Sequence, residues 1–222
     1  MIVVRGYDFM IPLPSKQMIR RLSILWTFNV RTGEGRTVWL IRRTMKHFFW
    51  KCILVFFEKE YIRSMKEEWI CEEMILRLDE FDPSSYSKSF DSGISFGIFQ
   101  GSLNELHAAV EQVVPEWVKL YDDRSRVYCG FINGKIASFC IIENMGEHFL
   151  DGRRIKIGGP GCVGTVPEYR KKGIGLMMVR NVTQILKEER YDFSYIHYTG
   201  VAPWYHKLGY RTILKWNKHG IL

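Results

Sequence analysis

The sharpest alternation of apolar and polar positions begins near the end of the first third of the chain. From Met74 to Phe81, Ile75, Arg77 and Asp79 alternate with Leu76, Leu78 and Glu80, and the run stops at Asp82-Pro83. Period-two alternation closed by a turn pair predicts a strand. A Ser/Gly-rich connection then leads to Gly101. Ser102-Leu103-Asn104-Glu105 reads as a capping box, its hydroxyl and carboxylate placed to satisfy orphan N–H groups at a helix start. Leu103, Leu106, Val110, Val113 and Val114 follow at helical spacing. Pro115 inside that helix would cost about 3 kcal/mol, so it is expected to open a second short helix over 116–121.

Segments 126–132 and 135–142 are apolar, β-branched and aromatic, and Asn133-Gly134 between them is a strong hairpin signal. Residues 155–166 hold another strand, which the run Gly158-Gly159-Pro160-Gly161 is expected to break. A helix follows with Ile174, Met177, Met178, Val182, Ile185 and Leu186 on one stripe. A strand over 192–199, a short helix over 203–208 and a last strand over 210–216 complete the order. A hairpin mixed with crossover helices gives an α+β class with a central mixed sheet flanked by helices.

The first seventy residues read differently. Short apolar groups flank a turn at Gly33-Glu34-Gly35, compatible with a hairpin, and 48–69 is expected to be helical despite a poor period. The net charge of +8 belongs to this part: residues 1–51 carry ten Lys/Arg against Asp8 and Glu34, while the remaining 171 residues balance 22 basic with 22 acidic groups. A nucleic-acid binder would spread or stripe its charge over the folded body, so nucleic acid is disfavoured as a partner. Cys52, Cys71, Cys129, Cys140 and Cys162 are odd in number and form no C-x-x-C, which argues for reduced thiols in the cytoplasm and against a metal site. The most apolar stretch, 52–57, is too short to span a bilayer, and no secretory signal fits the start. Met65 and Met74 both precede the first well-patterned strand, so residues 1–64 can also be read as an upstream extension.

Chemistry concentrates in Val166-Pro167-Glu168-Tyr169-Arg170-Lys171-Lys172-Gly173-Ile174-Gly175. A strand ends at a proline, and a basic, glycine-containing turn opens straight into an amphipathic helix. Bare glycine backbone, the helix dipole and three cations together make a phosphate cradle. Its spacing fits neither G-x-x-x-x-G-K-[ST] nor G-x-G-x-x-G, which disfavours a nucleoside triphosphate or a dinucleotide.

Arg170-Lys171-Lys172-Gly173-Ile174-Gly175 resembles the R/Q-x-x-G-x-G/A signature of the GCN5-related N-acetyltransferase (GNAT) superfamily. Val166-Pro167-Glu168-Tyr169 looks like that family's lead-in to the signature. Trp204-Tyr205-His206-Lys207-Leu208-Gly209-Tyr210 resembles its F-Y-x-K-x-G-F segment. The resemblance covers residues 74–222 and leaves 1–70 as a basic, aromatic-rich segment outside it.

The resemblance implies acetyl-CoA as acyl donor, with its pantetheine arm along the strand over 162–166, where Gly161, Gly164 and Thr165 permit close approach. The N–H groups of Arg170, Lys171, Lys172, Gly173, Ile174 and Gly175 would hold the pyrophosphate, and Val166 and its neighbours would offer N–H groups to the thioester carbonyl. Tyr205 matches the tyrosine that protonates the departing thiolate; a phenol of pKa about 10 is a competent donor at neutral pH. Many members carry Asn seven residues before that tyrosine, where this chain has Tyr198; the Thr199 hydroxyl is the candidate replacement. For the acceptor amine's proton the candidates are Glu143, His148 and His197, each equally readable as a satisfied structural side chain. The acceptor pocket is expected in loops over 90–101 and 145–154.

The expected function is acetyl transfer to a primary amine in a ternary complex, with a homodimer left open as the assembly. A non-catalytic acyl-CoA-binding domain, or an enzyme whose basic arm grips RNA or an anionic surface, are the alternatives.

Overall fold

A computed structural model describes residues 2–4, 7–9, 65–150 and 153–222. The hairpin expected around Gly33-Glu34-Gly35 lies outside the described residues, as does most of the helix expected over 48–69. Residues 65–69 are described and form a turn rather than helix, closed by the Trp69 N–H on the Lys66 carbonyl at 3.1 Å. Met65 is buried there while 66–70 are exposed, so the segment has no continuous stripe to lay on a core.

Strands β1 (Ile2–Val4) and β2 (Tyr7–Phe9) pair antiparallel as a separate ribbon. The main body runs β3 (Cys71–Arg77), β4 (Ile94–Ile98), α1 (Leu103–Glu111), β5 (Val127–Ile132), β6 (Lys135–Leu150), β7 (Arg153–Thr165), α2 (Ile174–Glu188), β8 (Phe193–Thr199), α3 (Ala202–His206), β9 (Arg211–Asn217) and β10 (Gly220–Ile221). The eight strands form one sheet in the order β10-β9-β3-β8-β7-β6-β5-β4. β7 and β8 are parallel and every other neighbouring pair is antiparallel, which gives the expected mixed sheet.

Local chemistry fixed several elements as read. Ser102 Oγ accepts the Glu105 N–H at 3.3 Å and starts α1. Pro115 opens a 3-10 helix, Pro115–Leu120. Asn133 and Gly134 both adopt left-handed φ, +48° and +77°, as the tight turn between β5 and β6 requires.

Four expectations are corrected. β3 begins at Cys71, three residues before the alternation becomes visible. The segment 90–101 is not all loop, because β4 pairs there with β5; its apolar Ile94, Phe96 and Ile98 alternate with Ser95 and Gly97, small residues that mask the period. Residues 145–150 and 153–154 extend the β6–β7 pairing where a loop was expected, and His148 pairs through its backbone with Ile155. Gly158-Gly159-Pro160-Gly161 does not break β7, which runs unbroken through it.

The sheet is covered on both faces. Tyr128, Cys140 and Ile142 join Leu176, Met178, Val179, Val182 and Leu186 of α2 on one side. Val127, Cys129 and Phe139 meet Leu106, Ala109 and Val110 of α1 on the other. Alternation along β5 and β6 thus feeds two cores. The arrangement leaves one end of the β7–α2–β8 crossover free to build a site.

Candidate active site

β7 and β8 are in register only at Ile157–Phe193 and Gly158–Ser194. Beyond these pairs β7 continues against β6 as far as Thr165, and β8 continues against β3 as far as Thr199. The sheet therefore opens between them. Sequence explains the opening locally. The Ile142 N–H points to Arg126 O of the β5 side at 2.8 Å, so the opposed pair Ile142–Pro160 is not hydrogen-bonded and the Pro160 nitrogen faces β8. A residue without an N–H cannot continue a ladder on that side. Two residues later β7 carries a bulge: Cys162 and Val163 face a single residue of β6, and Cys162 has φ +49°. The Cys162 carbonyl accepts the Tyr121 hydroxyl at 2.5 Å, which pins the bulge to the α1 side.

Glu143 of β6 and His197 of β8 meet across this opening, Oε2 to Nε2 at 3.7 Å, with side chains 26% and 24% exposed. They are two of the three candidate proton acceptors expected from sequence, and they come from strands separated by β7. Gly161 is what lets them meet: a Cβ there would overlap the Glu143 carboxylate, so the carboxylate lies across β7 at its bare backbone. Gly164 is likewise covered, by the Phe139 ring. Both glycines thus have a packing reason on that face, where the sequence suggested cofactor approach. The Tyr195 ring stacks beside His197 (centroids 6.3 Å, planes 19° apart) and the Tyr198 ring meets it edge-on at 5.0 Å.

Sequence reasoning missed the group behind this pair. Glu73 of β3 is fully buried; its Oε1 accepts Trp216 Nε1 at 2.8 Å and the Tyr198 N–H at 3.3 Å, and its Oε2 accepts the Tyr195 hydroxyl at 2.5 Å. Burial pushes the Glu73 carboxyl above its ordinary pKa, opposed by the positive side of His197 and by the three donors. β3 shifts register at Glu73/Met74, and Tyr198 sits at φ +56°. Two adjacent glutamates at the start of a strand that continues Met74-Ile75-Leu76 were the available signal, but the register shift hides which of them turns to the core.

The basic turn is formed as read, with refinements. Gly173 caps α2 at φ +85°, Lys171 lies at φ +62°, and among the described residues no side chain caps the helix start. Its first-turn N–H groups therefore remain available for an anion. The Arg170 N–H is not, because it donates to Pro167 O at 3.2 Å, and Arg170 Nε holds Thr165 O at 3.1 Å. The Val166 N–H is also committed, to Ala137 O at 3.0 Å, so it cannot polarise a thioester. Gly175 is buried where Thr165 and Trp204 converge, 2.5 and 3.4 Å from a Cβ placed there, which brings the end of β7, α2 and α3 together. Ile174 is buried beneath the same turn. Lys88, from a distant segment, donates to Lys172 O at 2.7 Å, adding a fourth cation beside Arg170, Lys171 and Lys172.

Tyr205 sits on α3 within the α2-side core, its ring 4.8 Å from Trp204 and 6.0 Å from Tyr210. Among the described residues the sealed side-chain atoms without a partner are Ser138 Oγ and Gln184 Oε1, and Tyr205 is 5% exposed. Burial, chiefly, raises its pKa, and the phenol stays protonated throughout the neutral range. α3 starts at Ala202, with Pro203 second. Thr199 Oγ1 accepts the Val201 N–H at 3.1 Å, so its hydroxyl shapes the entry to α3 and still has its proton to donate.

No helix among the described residues is long and apolar enough to cross a membrane, and no group of three His, Cys, Asp or Glu among them could hold a metal.

Comparison with known proteins gives a consistent picture. A family model described as an acetyltransferase (GNAT) domain matches residues 99–213. Curated proteins give no match. Among solved structures, the chain is similar to a GCN5-related glucosamine N-acetyltransferase region of a fungal multi-domain GH3 β-N-acetylglucosaminidase, with a TM-score of 0.54 and 20% identity over 82% of this chain and 22% of that one. It also resembles GCN5-related N-acetyltransferases from Kribbella flavida (TM-score 0.46, 14% identity, 67% of this chain and 58% of that one) and Sphaerobacter thermophilus (0.46, 18%, 70% and 52%). The chain therefore spans between 22% and 58% of the length of these solved chains. The matched family segment runs from the end of β4 into β9 and excludes β3, the strand lying between β8 and β9.

Proposed function

The chain belongs to the GNAT acetyltransferase family, and from that premise we propose that it transfers an acetyl group from acetyl-CoA to a primary amine by direct attack while both substrates are bound. The observation that carries this reading is the opening between β7 and β8, with an uncapped, cation-rich helix start at one end and Glu143–His197 across it.

In this reading the pyrophosphate sits on the N–H groups of Lys171 to Gly175, with Lys171 and Lys172 supplying charge. The pantetheine arm lies along β7 where β8 no longer pairs with it, near Gly164 and Thr165. The bulge at Cys162–Val163 replaces Val166 as the place where the β7 backbone, out of register with β6, faces the thioester carbonyl. An ammonium acceptor loses its proton to the Glu143–His197 pair. The free amine forms the C–N bond, the C–S bond breaks, and the sulfur takes the electron pair and a proton from the Tyr205 hydroxyl; the proton that the nitrogen sheds on becoming an amide restores the Tyr205 phenol. Thr199 shapes the α3 entry beside that hydroxyl.

An acetyl-CoA-dependent thiol-release assay over polyamines, amino acids, aminoglycosides and peptide N-termini tests the reading. Turnover with at least one amine class supports it; acetyl-CoA binding with no thiol release across the panel favours a non-catalytic acyl-CoA-binding domain instead.

A further inference from the structure

β3 lies outside the segment that matches the family, yet it stands between β8 and β9 and places a carboxylate directly behind the candidate base. The three donors to Glu73 are not arbitrary neighbours. Tyr195 and Tyr198 are the two rings that flank His197, and Trp216 packs edge-on against Tyr198 with centroids 5.1 Å apart. One buried carboxylate therefore grips both sides of the His197 cage, through a hydroxyl on one side and a backbone N–H on the other. That N–H belongs to the residue at φ +56°, so the same bond stabilises the β8 bulge that sets which way the residues beside it project.

Resting on the acetyl-transfer reading, we propose that Glu73 is a positioning residue for the base: it locks the aromatic cage around His197 and, when ionised, lends the imidazole a negative charge that helps it hold the acceptor's proton. Both Trp216 Nε1 and the Tyr198 N–H are obligate donors, so Glu73 Oε1 is an acceptor whatever the protonation of the other oxygen. Among the described residues, the charged and titratable groups recorded around His197 are Glu143 from β6, Glu73 from β3, and Tyr195 and Tyr198 from β8 itself. Glu72, the adjacent acid on β3, is engaged instead by Thr212 at 2.6 Å and Lys215 at 3.5 Å of β9. The arrangement is an acid on each side of one histidine, one partly exposed to the opening and one sealed.

The test is the ionisation midpoint of His197, followed by proton NMR on the full chain, its signal identified by its loss in His197→Gln. Glu73→Gln keeps an acceptor for Trp216 and Tyr198 but removes the charge. The His197 midpoint is expected to fall by about one pH unit, since losing a nearby anion disfavours the imidazolium. In the thiol-release assay the acidic limb of kcat against pH should move the same way, with KM for acetyl-CoA unchanged. An unchanged His197 midpoint in a folded Glu73→Gln protein overturns the proposal. If Glu73→Gln does not fold, Tyr195→Phe releases one side of the cage while leaving the carboxylate in place. A smaller fall of the midpoint supports the proposal there, and a midpoint equal to the unmodified protein's overturns it. The midpoint needs no turnover, so absence of acetyl transfer would count against the functional reading and leave this test standing.

Discussion

Replacing Gly159 by alanine probes how closely β7 and β8 are held just before they part. A Cβ at Gly159 would overlap the Tyr195 carbonyl oxygen and stand 3.0 Å from its carbonyl carbon and 3.3 Å from its nitrogen. Non-bonded carbons rest at about 3.5–4.0 Å, so the backbones must separate by roughly half an ångström on the carbon contact alone. Both sides of the clash are main chain, and Tyr195 is itself tied to Glu73, so neither can turn a rotamer to escape. Overpacking of this kind costs about 1–3 kcal/mol and sometimes more; we expect the upper end, about 3 kcal/mol, which is a fall in Tm of roughly 6–12 °C for a domain of this size. Urea denaturation with an unchanged m-value is the assay. Gly97→Ala is the control: a Cβ there meets nothing within 4 Å, so it should be neutral or stabilising by up to about 1 kcal/mol. If Gly159→Ala is as stable as the unmodified protein, the close approach at the head of the opening is wrong.

Three further outcomes are expected. Tyr205→Phe should lower kcat on the order of a hundredfold with little change in acetyl-CoA affinity, the share of a general acid, and equal kcat across the pH range would remove Tyr205 from the chemistry. Glu189→Gln should cost less than about 1 kcal/mol, because its fork with Arg126 (2.6 and 2.9 Å) is partly exposed and screened by solvent. The hydrogen bond from Arg126 holds Glu189 below its usual pKa, so this contribution is present above the ordinary glutamate range and lost as pH falls through the depressed value; acid titration of stability should show the difference between the two proteins shrinking in that window. A protein truncated to 74–222 should fail to unfold cooperatively, since it removes Cys71 to Glu73 from β3 and takes from Trp216, Tyr198 and Tyr195 their shared buried acceptor; a Tm close to that of the full chain would contradict this.

What could be read from the chain followed local chemistry. Ser102 with Glu105, Pro115, Asn133-Gly134 and the stripe on α2 act through neighbours in sequence, and each produced the element it signals. The basic turn and Tyr205 were found because their spacing is itself the signal. What escaped depends on strands distant in sequence. Gly158-Gly159-Pro160-Gly161 reads as a breaker, yet in the sheet those glycines admit the Tyr195 carbonyl and the Glu143 carboxylate, and the proline falls on the side where the ladder has already ended. Glu73 precedes the alternation visible at Met74, and its burial comes only from β8 and β9 closing over it. The availability of particular N–H groups, such as those of Val166 and Arg170, was equally invisible, because it is decided by which carbonyl comes within reach.

The central claim is that the opening between β7 and β8, with the turn from Lys171 to Gly175, holds an acyl-CoA. Isothermal titration of the full chain with acetyl-CoA tests it most directly, comparing the unmodified protein with Lys171→Ala/Lys172→Ala at low and high salt. Saturable binding that weakens with salt is expected, with a loss of roughly fivefold per cation removed, about 1 kcal/mol each. Absence of binding at millimolar acetyl-CoA, or binding indifferent to both lysines and to salt, would contradict it.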